Sequence, residues 1–296
     1  MFRPARIAVK RRLQGRNAVV TPECSTFAGA GGLQLFRRRW QSLGVPRGAL
    51  VLVHGLGDHS GLYPHLVDHL TPAGWSVHAF DQRGNGRSPG RRGHIDRWSD
   101  LREDLERFVA LVAREEAGRP LFLLGNSLGG LVALDYALAH PDGLRGVVAV
   151  APALSLEGVP TPLLWLGRAL SVVWPSFTLE TGLDLRGLAR DPAIAASILD
   201  DPLFHRRASA RLSTETAAAM ARVLEGAHRF AIPLLLLHGG EDRMVPPAGT
   251  RDLASRLPPG LVTYREYPGS FHALLADLDR AAPLDALETW LRLHGE

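Results

Sequence analysis

One cysteine, one lysine and no apolar run of membrane-spanning length limit what this 296-residue chain can be. With Cys24 alone, no intrachain disulfide framework can form. Without a cluster of cysteine and histidine there is no thiolate metal site either. The composition is compatible with a reducing cytoplasm. No stretch approaches the roughly 18 apolar residues a transmembrane helix needs. The start of the chain also lacks the continuous apolar region of a secretory signal. The expected location is therefore cytoplasmic, with at most peripheral contact to a membrane. Because Lys10 is the only lysine, nearly all positive charge is arginine, which genomic compositional bias explains most simply.

A net charge of +4 would suggest an anionic partner if it were spread over the surface. It is not. Residues 1–20 hold Arg3, Arg6, Lys10, Arg11, Arg12 and Arg16 and no acid, so subtracting that +6 from the total of +4 leaves −2 on the rest. The body is thus not basic, and no nucleic-acid partner is expected. The arm reads as a disordered extension; a basic arm touching anionic surfaces and an overextended start codon are the alternatives. Hydrophobic content of 46% and charged content of 22% are those of a globular chain. Its length suits one α/β domain with an insertion.

Strand-length apolar runs alternate with helix-length periodic segments, which predicts an α/β fold with a mainly parallel sheet flanked by helices. Strands are expected at Glu23–Phe27, Gly32–Trp40, Leu50–His54, Trp75–Phe80, Leu121–Leu124, Leu144–Val150, Pro233–His238 and Leu261–Tyr267. Helices are expected over Tyr63–Ala73, Ser99–Glu116, beginning after Ser127, over Ala248–Leu257 and over Leu284–Leu293. Between Pro152 and Phe230 no strand candidate appears, and helical patterns are separated by Pro and Gly. Residues 21–151 and 231–296 are accordingly assigned to a core, and 152–230 to an inserted helical cap.

Chemistry enters at Gly125-Asn126-Ser127-Leu128-Gly129, which follows a strand and opens a helix. This G-x-S-x-G turn presents its serine above the sheet. A serine hydroxyl is a weak nucleophile unless a base takes its proton, and the base works best when an acid fixes its tautomer. After the strand ending at His238 comes Gly239-Gly240-Glu241-Asp242, and after the last strand Ser270-Phe271-His272. A single Asp in a glycine-rich loop is most often a turn residue, and a single His is most often structural. Three suitable residues, each beyond its own strand and in the order Ser127, Asp242, His272, point instead to the α/β-hydrolase triad. Glu241 is the rival acid and His238 a weaker rival base. Backbone N–H groups of Leu128 and of Leu56, in His54-Gly55-Leu56-Gly57-Asp58, are the expected oxyanion donors.

Together with Asp81-Gln82-Arg83-Gly84-Asn85-Gly86-Arg87-Ser88, these motifs make residues 23–294 resemble the monoacylglycerol lipase and lysophospholipase branch of the α/β-hydrolases, related to serine aminopeptidases. The resemblance implies a cofactor-free serine hydrolase acting on small monoacyl lipid esters. Asn126, Leu128 and Asp58 stand where relatives usually carry His, Met and Glu, which bears on pocket shape and not on the reacting groups. Asp81, Arg83 and Arg87 read as loop anchors. Asp201-Pro202-Leu203 through Arg211-Leu212 resembles the family's cap.

The segment Pro162–Trp174 is apolar nearly all round, so Leu163, Trp165, Leu166 and Leu170 are expected either to line an acyl tunnel and touch lipid surfaces or to be buried inside the cap. A peptidase or short-chain esterase on the same triad, and a noncatalytic receptor that keeps the hydrolase shell, are the competing functions. Epoxide hydrolase and dehalogenase chemistry would need an Asp nucleophile in place of Ser127. His65 and His69 have helical i, i+4 spacing but lack the glutamate of H-E-x-x-H, so no metal is expected. The Gly84–Ser88 loop lacks the G-K-[ST] ending of a phosphate loop.

Overall fold

The computed structural model describes residues 20–296; most of the basic arm at 1–20 lies outside them. A hairpin of β1 (Glu23–Ala28) and β2 (Gln34–Trp40) opens the fold, followed by β3 (Gly48–Val53), α1 (Pro64–Leu70) and β4 (Trp75–Phe80). Then come α2 (Trp98–Glu115), β5 (Leu121–Asn126), α3 (Leu128–Ala139) and β6 (Gly146–Val150). The cap follows with α4 (Thr161–Val173), β7 (Thr178–Glu180), α5 (Pro192–Leu199), β8 (Arg207–Ser209) and α6 (Ala210–Glu225). The core closes with β9 (Leu234–Gly239), α7 (Ala248–Arg256), β10 (Val262–Tyr267) and α8 (Ala281–Gly295).

Eight strands form one sheet in the order β1-β2-β4-β3-β5-β6-β9-β10. Its pairs are parallel from β4 onward, and antiparallel where β2 meets β1 and β4. The central strands are apolar at successive positions because both faces are covered. Val51, Val53, Leu123, Val147 and Leu236 face a core closed by α2, α3 and α6. Leu50, Leu52, Phe122, Leu124, Val148 and Leu235 face the opposite core, closed by α1 and α8. The strict alternation follows from the two-residue period of a strand.

The cap departs from the expectation of a purely helical insertion. Its strands β7 and β8 pair antiparallel, Thr178 opposite Ser209 and Glu180 opposite Arg207. Each is three residues long, too short to display an alternation in sequence. This ribbon turns the chain back, so that the segment joining its strands comes to lie over the carboxyl edge of the sheet.

Candidate active site

Ser127 sits between β5 and α3 with φ 54° and ψ −119°. Among the described residues only Ser127 and Ala151 have positive φ without being glycine. The turn is possible because its neighbours lack side chains. A Cβ on Gly125 would strike Gly129 O, and one on Gly129 would strike the carbonyls of Val53 and His54. Ser127 N–H donates to Val150 O at 2.9 Å, and Ser127 O accepts from Ala153 N–H at 3.0 Å, so strand β6 and its exit hold the elbow.

Asp242 and His272 leave the carboxyl ends of β9 and β10. Their loops are stitched together: Gly240 N–H donates to Tyr267 O at 2.8 Å and Glu241 N–H to Ser270 O at 3.0 Å. Gly239 permits this approach, since a Cβ there would meet Ser270 O and Phe271 O. The contact that results is His272 Nδ1 to Asp242 Oδ2 at 2.6 Å, with both residues buried. Asp242 Oδ1 also accepts the N–H groups of Met244 and Val245, each at 2.9 Å.

Burial alone would raise the Asp242 pKa, but the His272 charge and the hydrogen bonds from His238, His272 and Val245 outweigh it and hold the carboxyl well below its ordinary range. Burial alone would likewise lower His272, yet the charge and hydrogen bond of Asp242, with a contribution from Asp58, leave it raised above 6.5. Glu241 is exposed and its backbone, not its carboxylate, joins the His272 loop.

Ser127 and His272 line one cleft of about 880 Å³ of empty space including its open mouth. Leu56 lines it too, and the backbone N–H groups of Leu56 and Leu128 have no hydrogen-bond partner among the described residues. For Leu128, the first residue of α3, this follows from the helix geometry, which leaves opening amides without an intrahelical acceptor. The walls are mostly apolar, including Leu62, Leu183, Leu188, Ile198, Phe204 and Leu275. Among the polar groups that interrupt them, Tyr63 Oη donates to Asp58 Oδ2 at 2.9 Å. Burial first, then the Asp58 charge, keeps the phenol protonated far above its usual range. Sequence reasoning passed over Tyr63, which carries no motif or periodic signal.

The cap residues expected at the substrate are elsewhere. Leu163, Trp165 and Leu166 are 51%, 64% and 54% exposed, and neither they nor the half-buried Leu170 line the cleft. Helix α4 packs on α6, where Ser171 bonds Thr214 at 2.8 Å and Ser171 O accepts from Arg211 at 2.8 Å. The roof instead comes from the segment between β7 and β8. That roof is tied to the core on two sides. Gly187 O and Leu188 O accept from the N–H groups of His272 and Ala273 at 3.1 and 2.7 Å, and His205 N–H donates to Gly57 O at 3.1 Å.

The loop anchors act on the same edge. Asp81 is fully buried and accepts from the N–H groups of Ser60 and Arg87, each at 2.8 Å. Arg83 pairs with Asp104 at 2.6 Å. His65 and His69 form no cluster of three or more metal-ligating side chains among the described residues.

Residues 44–279 match the family model described as Serine aminopeptidase, S33. The chain is 32% identical to the monoacylglycerol lipase of Mycolicibacterium smegmatis over 278 residues, which covers 91% of this chain and 96% of that protein. The crystal structure of Paleococcus ferrophilus monoacylglycerol lipase superposes with a TM-score of 0.80 at 36% identity, covering 88% of this chain and 99% of that one. A soluble variant of Saccharomyces cerevisiae monoglyceride lipase, solved with a substrate analogue, gives a TM-score of 0.84 at 25% identity over 95% of this chain and 98% of that one. The sheet order, the serine elbow and this match over most of the length have one reading: the chain belongs to the Serine aminopeptidase, S33 family, in its monoacylglycerol lipase branch, and is an enzyme of the serine hydrolase class.

Proposed function

We propose that the protein hydrolyses monoacyl lipid esters through an acyl-enzyme on Ser127, with His272 as general base and Asp242 as its orienting acid. The observation that carries the reading is the 2.6 Å Asp242–His272 contact at the wall of a cleft that also holds the serine elbow. Asp242 binds Nδ1, which leaves Nε2 of His272 as the basic nitrogen. That nitrogen takes the Ser127 proton as Oγ attacks the ester carbonyl. The developing oxyanion is received by the N–H groups of Leu56 and Leu128, each such donor being worth about 10²- to 10³-fold in rate. His272 then returns the proton to the departing alcohol. Water enters by the same base to release the fatty acid.

The cleft supports this substrate class. Its apolar walls suit an acyl chain, and burying each methylene contributes about 0.8 kcal/mol. Substrate delivery is assigned to α4, whose exposed Leu163, Trp165, Leu166, Val172 and Val173, with the adjoining Trp174, give it an apolar outer face suited to a lipid surface. No helix among the described residues is long and apolar enough to cross a membrane. A side-by-side assay of monoacylglycerols, lysophospholipids, short nitrophenyl esters and aminoacyl anilides tests the assignment. Monoacyl esters are expected to give the highest kcat/KM. A preference for the anilides would replace the lipid reading with a peptidase.

A further inference from the structure

His238 is the second-to-last position of β9 and is wholly buried, four residues before Asp242. Its ring has three polar neighbours, and the pattern fixes its tautomer. Nε2 lies 2.9 Å from Val245 O and 3.3 Å from Asp242 Oδ2. A carbonyl and an ionised carboxylate only accept, so Nε2 must carry the proton. Nδ1 lies 2.8 Å from Oγ1 of the buried Thr250 on α7, which sets the ring plane. The imidazole therefore holds the Asp242–Val245 turn through the Val245 carbonyl, while Asp242 Oδ1 closes the same turn through the Val245 N–H.

We infer that His238 is a positioning residue for the reaction: its Nε2–H, shared between Val245 O and Asp242 Oδ2, holds the carboxylate so that Oδ2 faces His272. This rests on the reading of Asp242 and His272 as the working acid and base. Four donors then surround the carboxylate: the Met244 and Val245 amides on one oxygen, His272 and His238 on the other. An ionised carboxylate has about four lone-pair sites, so its rotation is opposed on every side. The charged groups around the ring are few. Asp242 faces it directly, and Glu266 is its register partner on β10, with the Glu266 carboxylate engaged by Arg251 at 2.6 Å. His272 is faced by Asp242 and Asp58.

Three substitutions of the full-length protein separate the roles. His238→Gln places an amide N–H near the Nε2 position. His238→Asn reaches Thr250 but not Val245 or Asp242, and His238→Leu removes both polar nitrogens. The His238→Leu and His238→Asn proteins are expected to lose on the order of 10- to 100-fold in kcat on a soluble short ester, with KM unchanged. The low-field proton resonance of His272 Nδ1–H should broaden or move in both, and His238→Gln should restore rate and resonance together. If His238→Leu does not fold, the comparison of His238→Gln with His238→Asn carries the test. Equal rates for those two, or a folded His238→Leu protein with native kcat and an unmoved resonance, would overturn the inference. Asp242→Asn tells the two failures apart. An inactive Asp242→Asn protein beside a normal His238→Leu protein sinks only the role of His238, whereas a fully active Asp242→Asn protein removes the reading beneath it.

Discussion

The backbone at Ser127 makes a quantitative prediction that is independent of catalysis. With φ 54° and ψ −119°, the residue occupies a region that a Cβ disfavours, at a cost of about 1–3 kcal/mol. Ser127→Ala deletes the hydroxyl but keeps Cβ and therefore the strain. Ser127→Gly deletes both. Glycine gives back part of the gain, about 0.5–1 kcal/mol, through the extra freedom of its unfolded chain. The glycine protein should thus exceed the alanine protein by roughly 1 kcal/mol. At about 2 °C per kcal/mol for a domain of this size, that is a rise of about 2 °C in Tm. Both proteins should be inactive, so substrate cannot bias the comparison. Thermal melts and urea midpoints at matched concentration measure the difference. A glycine protein melting at or below the alanine protein would show that the elbow is not strained as its dihedrals imply.

The raised pKa of His272 fixes the sign of the pH dependence: the base must be neutral to act, so kcat/KM should fall toward acid with a midpoint above 6.5. In Asp242→Asn the charge that opposes desolvation is gone, so that midpoint should drop while kcat falls on the order of 10⁴-fold; a pH–rate series on both proteins checks this. The same linkage makes the pair's stabilising effect through His272 intact below the unfolded histidine pKa and lost as pH rises through the folded one. Gly129→Ala should cost at least about 1–3 kcal/mol, because the new Cβ meets the fixed carbonyls of Val53 and His54; a urea midpoint equal to that of the parent would contradict the packing described. Replacing Trp165, Leu166, Val172 and Val173 on α4 by serine should weaken binding to phospholipid vesicles and spare turnover of a soluble short ester, since these side chains face outward. A flotation assay with unchanged vesicle binding would remove α4 from the lipid-contact proposal.

The core was legible in the sequence because its signals are local. Runs such as Leu50–Val53 and Leu234–Leu237 are apolar at every position, which only a sheet buried on both faces requires. The glycines around Ser127 mark a close approach that a turn between strand and helix imposes. The meeting of Asp242 and His272 was legible through their places beyond successive strands.

What the sequence hid depends on tertiary placement. The apolar α4 reads equally well as a tunnel wall, a buried helix or an outer face, because periodicity reports the amount of apolar surface and not what covers it. The short β7–β8 ribbon decides the matter by carrying Leu183, Leu188 and Ile198 over the cleft in its place. Tyr63 and His238 were invisible as partners for a different reason. Each acquires its role from polar contacts across a loop, Tyr63 to Asp58 and His238 to Val245 and Asp242, and such contacts leave no pattern of spacing.

The proposed chemistry stands or falls on Ser127 becoming nucleophilic through His272 and Asp242. Labelling of the folded protein with a fluorophosphonate probe, followed by peptide mass spectrometry, reads that reactivity at the residue itself. One adduct is expected, on Ser127, formed much more slowly when His272 is replaced by alanine. A preparation that keeps full ester turnover with Ser127 unmodified, or that carries its adduct on another residue, would contradict the mechanism.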